Sequence, residues 1–170
     1  MMRKGLFAVV ATLLCGVASA MKVGDVAPDL ERADLSGRQV QLAGHRGKLV
    51  LLNFWASWCE PCREEMPAFS RWQTTWQANG LQVIGVSMDD SSDDVRAFLA
   101  AHPVTFPVVM GDAQLAKSFG GVLGLPLSYL IDGQGRVIAR YQGEASLKTM
   151  EAKVRELLSV PARGAEKRSR

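Results

Sequence analysis

The sequence predicts an α/β fold with a mixed central sheet flanked by helices. Two apolar runs, Leu49–Trp55 and Leu81–Met88, have the continuous pattern of strands buried on both faces. Segments of helical periodicity separate and follow them, and strands that alternate with helices require a sheet covered on both sides. Towards the C-terminus, Leu127–Ile131 and Arg136–Gln142 flank Asp132-Gly133-Gln134-Gly135, the composition of a hairpin turn. That hairpin adds antiparallel strands and makes the sheet mixed.

The elements follow in order. Residues 22–30 are expected to be extended, since Pro28 resists helix. Leu35-Ser36-Gly37-Arg38 marks a turn and Gln39–Leu42 a return strand, which predicts an N-terminal β-hairpin over about 30–42. Gly44–Lys48 is a second turn. The first buried strand follows, interrupted only by Asn53. Glu60 to about Ala78 predicts a helix in which Met66, Phe69, Gln73 and Trp76 trace one face and Trp72 widens it. Pro67 predicts a kink and Asn79-Gly80 a stop. After the second buried strand, Asp89–Asp94 leads into a helix over Val95–Ala101, with Ser91, Ser92 and Asp93 as candidate caps. Phe106–Met110 predicts a short strand, Asp112 the cap of a helix through Phe119, and Gly120–Leu125 a loop. In the last helix, Leu147, Met150, Val154, Leu157 and Leu158 form the apolar stripe.

A chain of 170 residues with 48% apolar and 22% charged composition suits one globular domain. Its net charge of +3 comes from the ends: Arg3 and Lys4 at one, and Arg163, Lys167, Arg168 and Arg170, less Glu166, at the other. The body between is weakly acidic and has no basic patch interleaved with aromatics, so nucleic acid is not an expected partner. Residues 1–20 have the pattern of a secretory signal peptide. Arg3 and Lys4 form the positive region, Leu6–Leu14 the apolar run and Ala18-Ser19-Ala20 the cleavage site. Extended to Val17, the apolar run is still short of the roughly 20 residues that span a bilayer, which favours cleavage over a membrane anchor. The expectation is an exported, periplasmic protein that starts at Met21. Its domain covers 21–160, and 161–170 forms a disordered basic tail.

Removal of Cys15 with the leader leaves Cys59 and Cys62 as the only thiols. Cys-x-x-Cys between a buried strand and a helix is a redox arrangement. A helix N-terminus carries partial positive charge and unpaired N–H groups, so it stabilises a thiolate. Cys59, ahead of the helix, is the expected nucleophile. Cys62, in the first turn, is placed to resolve a mixed disulfide. Pro61 suits that turn, having no N–H to leave unpaired, and Glu60 sets a negative charge beside the nucleophile. A zinc site needs about four ligands, whereas His45 and His102 are distant in sequence, so no metal or other cofactor is expected. A purely structural bridge over two residues would close a very small loop and contribute little.

The segment Asn53-Phe54-Trp55-Ala56-Ser57-Trp58-Cys59-Glu60-Pro61-Cys62 resembles the active-site segment of the thioredoxin superfamily. It is closest in kind to the TlpA/ResA-like branch of exported thiol–disulfide oxidoreductases. The likeness runs through Arg63-Glu64-Glu65-Met66-Pro67, "GVSMDD", Gly124-Leu125-Pro126 and "YLID", and covers about 23–159. It implies a thioredoxin fold with an N-terminal hairpin and a central αβ insertion at about 90–110. Pro126 is the implied cis-proline facing the dithiol, and Leu125 offers backbone groups to a substrate strand. Trp58, Glu60, Pro61, Leu125 and Pro126 are therefore the expected substrate contacts. Where thioredoxin has a buried aspartate this chain has Asn53, so the implied catalytic proton acceptor is Asp90, at the end of the next strand, with Asp89 beside it. Leu127-Ser128 departs from the two threonines common in relatives. The implied partners are substrate protein disulfides, such as apocytochrome c or copper-site cysteines, and a membrane electron-transfer protein as reductant. The expected unit is a monomer.

Two other functions fit the same fold. A thiol peroxidase would have Thr and Pro before a lone peroxidatic cysteine, and the residues before Cys59 lack that pattern. A copper carrier would use methionine, but Met1, Met2 and Met21 are terminal and the other four are scattered at core-like positions.

Overall fold

The structure is a computed structural model that describes residues 20–159. The expected leader, apart from Ala20, and the expected basic tail lie outside the described residues. Five strands form the central sheet: β3 (Leu49–Trp55), β4 (Leu81–Ser87), β5 (Val108–Met110), β6 (Leu127–Ile131) and β7 (Val137–Gln142), in the order β5-β4-β3-β6-β7. β3, β4 and β5 are parallel, β6 runs against β3, and β7 runs against β6 and so points the same way as β3. The sheet is mixed, and β6 of the closing hairpin is its one reversed strand. A separate two-stranded sheet pairs β1 (Glu31–Ala33) with β2 (Gln39–Gln41).

All seven residues of β3 are buried, which is why its sequence is apolar without alternation. Successive side chains enter two different cores. Leu49, Leu51 and Trp55 join Met66, Phe69 and Trp72 of α1 (Glu60–Trp76) and Met150 and Val154 of α4 (Leu147–Ser159). Val50, Leu52 and Phe54 join Met21, Leu30 and Val40 of the N-terminal region and Leu115 and Phe119, at α3 (Ala113–Ser118). Val95 of α2 (Ser92–Ala101) lies in the first of these cores.

The helices start where their caps predict. Ser91 Oγ accepts from Asp93 N–H at 3.1 Å, and Asp112 accepts from Leu115 N–H at 2.7 Å. Gly80 ends the first helical region with φ of 98°, a value that favours glycine.

The expected N-terminal hairpin is present, with Glu31–Ala33 as the partner of the return strand. The extended residues before it run beside the start of β7, with Gly24 N–H donating to Val137 carbonyl at 2.8 Å. The expected first helix runs through Pro67 to Trp76, and a 3-10 turn over Gln77–Asn79 completes it. One boundary is corrected: the short strand begins at Val108 and not at Phe106, because Pro107 cannot donate to a ladder. The N-terminal hairpin is locked by Asp34. This buried carboxylate accepts from Ser36 N–H at 2.8 Å, Ser36 Oγ at 2.6 Å and Arg38 N–H at 2.9 Å. Leu35 N–H then docks the turn on Val108 carbonyl at 3.0 Å, beside the edge strand β5.

Candidate active site

Topology brings the chemistry to one end of the sheet. Parallel β3 and β4 end together, Trp55 opposite Ser87, and antiparallel β6 starts there, Leu127 opposite Phe54. The turn after β3, the polar segment after β4 and the residues before β6 therefore converge.

Cys59 is the N-cap of α1. Its sulfur accepts from Cys62 N–H at 3.4 Å, its own N–H donates to Ala56 carbonyl at 3.1 Å, and Pro61 occupies the first turn. Cys59 and Cys62 are joined as a disulfide. Cys59 retains 6% of its surface and Cys62 none, so an incoming group meets Cys59 first. Trp58 and Glu60 on either side of it are exposed, Trp58 at 70%. Across the site the Leu125–Pro126 peptide bond is cis, with Pro126 buried and Leu125 half-buried at the start of β6.

The carboxylates are distributed differently from the expectation. Asp90 is exposed, on the rim of an open cavity of about 490 Å³ shared with Asp89, Lys117 and Leu123. Its carboxylate faces solvent beside Met88 and Val122, which line the same cavity. Its neighbour Asp89 is the buried one, and Ser57 and Ser87 hydroxyls both donate to it. Asn53, buried in β3, donates to Ser128 Oγ at 3.0 Å. The Leu127-Ser128 departure thus supplies the partner for the amide that stands in place of an acid.

The residue that sequence reasoning passed over is Glu65. Cys62, Glu65, Met66 and Phe69 are all buried on one face of α1, spaced three, four and seven residues from Cys62. Glu65 is therefore one turn below the resolving cysteine. Its Oε2 has no hydrogen-bond partner, and none of the ion pairs among the described residues includes it. Burial pushes its carboxyl up to about 7. A signal was present in the sequence: a glutamate inside an apolar helical stripe.

On the far side of the turn, Phe98 of α2 packs on Trp55 with centroids 5.4 Å apart, and the Arg63 guanidinium lies over the Phe98 ring. The insertion thus braces the strand that carries the dithiol.

Residues 23–140 match the AhpC/TSA family. The chain is 33% identical over 138 residues to the thiol-disulfide oxidoreductase ResA of Bacillus thuringiensis subsp. konkukian, covering 81% of this chain and 79% of the relative. It is 37% identical over 134 residues to the thioredoxin-like protein YneN of Bacillus subtilis, covering 77% and 78%. Among solved structures it is similar to a thiol:disulfide interchange protein of the thioredoxin family from Chlorobium tepidum. That likeness has a TM-score of 0.73 and 28% identity over 82% of this chain and 99% of the other. The thioredoxin domain of a Bacteroides vulgatus thiol-disulfide oxidoreductase gives 0.70 and 27%, over 79% and 99%.

Proposed function

Because the chain belongs to the AhpC/TSA family and is a thiol–disulfide oxidoreductase of the thioredoxin fold, we propose that it reduces disulfides in exported proteins through Cys59 and Cys62. The observation that carries this reading is the Cys59–Cys62 pair at the head of α1, with the first cysteine accessible and the second sealed. Two adjacent cysteines that pair with each other favour disulfide exchange over a peroxidase built on one peroxidatic cysteine.

In the reduced protein the Cys59 thiolate, held by the N–H groups of the first helical turn, attacks one sulfur of the substrate disulfide. A mixed disulfide forms and the other substrate sulfur leaves as a thiolate, which takes a proton from water. Cys62 then loses its proton and attacks Cys59 Sγ. The mixed disulfide breaks, the second substrate thiol is released, and the two electrons given up on forming the Cys59–Cys62 disulfide reside in the two substrate thiols. Glu65 replaces Asp90 as acceptor of the Cys62 proton, because a base is most useful with a pKa near the working pH. Trp58, Glu60, Pro61, Leu125 and Pro126 line the approach to Cys59.

The substrates we assign are disulfides of exported metalloproteins, of the apocytochrome c or copper-site kind, and the electron source is a membrane electron-transfer protein. The leader pattern in residues 1–20 supports export. No helix among the described residues is long and apolar enough to cross a membrane. The reduction potential of the pair tests the direction. A value near or below that of thioredoxin, about −270 mV, supports a reductant, and one near that of a strong oxidant, about −120 mV, contradicts it.

A further inference from the structure

The carboxylate of Asp89 is 6% exposed, and three of the donors around it come from two serines. Ser57 Oγ donates to Oδ1 at 2.6 Å, Ser57 N–H to Oδ2 at 2.9 Å and Ser87 Oγ to Oδ2 at 2.7 Å. Asp89 N–H returns a bond to Ser87 Oγ at 3.1 Å. Burial of a carboxylate is costly unless donors surround it, and here none of the donors is a cation. The bond network does not serve the sheet, since the β3–β4 ladder runs to Trp55 and Ser87 and Met88 N–H extends it to Trp55 carbonyl at 2.8 Å. Beyond the ladder is the short turn that delivers Cys59. Both hydrogen-bonding groups that Ser57 contributes there, N–H and hydroxyl, end on Asp89.

We propose that Asp89 is a positioning residue for the dithiol. It ties the Ala56–Ser57–Trp58 turn to the end of β4 and so sets the Cys59 sulfur over the first N–H groups of α1. The inference rests on the reading of Cys59 as the attacking thiol. Helix-terminus stabilisation falls off within a single turn, so the turn that precedes the cap governs how much of it the sulfur receives. The turn reaches the cap through the Cys59 N–H bond to Ala56 carbonyl, one residue before Ser57.

The sign of the effect separates positioning from charge. A carboxylate near Cys59 disfavours the thiolate, so loss of its charge alone makes Cys59 more reactive. Loss of positioning makes it less reactive. The test is the pH dependence of iodoacetamide alkylation in the reduced full chain, with the modified cysteine identified by mass spectrometry, for wild type, Asp89→Ala, Asp89→Asn and Ser57→Ala. In Asp89→Ala the profile is expected to move to higher pH, with about tenfold slower Cys59 alkylation at neutral pH. Asp89→Asn keeps an oxygen for Ser57 and should stay within about threefold of wild type, with Ser57→Ala in between. Equal profiles in Asp89→Ala and Asp89→Asn, or faster alkylation in both, overturn the positioning role. A lowered melting temperature with an unmoved profile does so too. If Asp89→Ala does not fold, the remaining pair decides: Ser57→Ala must slow alkylation more than Asp89→Asn does. Alkylation of Cys62 ahead of Cys59 in the wild type would overturn the order of attack itself, whatever the variants do.

Discussion

Glu65 lies one helical turn below Cys62 on the same buried face of α1. Resolution of the mixed disulfide requires Cys62 as a thiolate, and Glu65 is the buried acid on its own helix face. In stopped-flow measurements on the wild type, the resolving step is expected to accelerate as pH rises through about 7, where Glu65 becomes able to take a proton. Glu65→Gln should lose that inflection and slow the step by about 100-fold. An unchanged rate and profile in Glu65→Gln would assign the proton to water.

The same carboxyl has a stability consequence of defined sign. Its folded pKa is raised from 4.5 to about 7, so the folded state binds the extra proton. Its contribution is fully present below 4.5 and is lost as pH rises towards 7. Above that range Glu65→Gln should be more stable than wild type, by on the order of 2 kcal/mol. Urea unfolding at several pH values checks this, and a variant less stable at pH 8 contradicts it.

Asp34 has the opposite sign. Burial acts to raise its pKa, but the hydrogen bonds from Ser36 and Arg38 outweigh that and hold it at about 2. Its contribution is present above the ordinary value of 3.8 and is lost as pH falls towards 2. Asp34→Ala leaves buried donors unpaired in the hairpin turn. It should cost about 1–3 kcal/mol at neutral pH, read by the same unfolding experiment. Disulfide exchange at the other site should be little affected in the folded variant.

Trp58 is 70% exposed beside Cys59. Trp58→Ala should therefore change stability by less than about 0.5 kcal/mol and act mainly through KM for a protein disulfide. A large fall in melting temperature would instead mean that the indole is a packing residue.

The fold was legible where one physical signal dominated. The apolar run Leu49–Trp55 and the polar caps Ser91 and Asp112 mark elements that the structure has at those places. The first hairpin was legible from its turn residues although its strands are only three residues long, whereas the bonding of the extended residues before it to β7 was not, because a pairing so distant in sequence leaves no local signal. At the site, Cys59 and Cys62 stood out by spacing alone. The carboxylates did not, because burial decides their roles, and adjacent Asp89 and Asp90 differ in burial although they are identical in sequence character. Glu65 was hidden among the surface charges of Arg63 and Glu64. Only its place on the Cys62–Met66–Phe69 face distinguishes it.

The central claim is an order of attack, Cys59 first and Cys62 second, and trapping measures it directly. Cys62→Ser, mixed in reduced form with a disulfide-containing substrate protein, should accumulate a stable mixed disulfide. Peptide mapping should place that adduct on Cys59. Cys59→Ser should form no such adduct at a comparable rate, because Cys62 has no exposed surface. An adduct on Cys62 in Cys59→Ser, formed as fast as that on Cys59 in Cys62→Ser, would contradict the account.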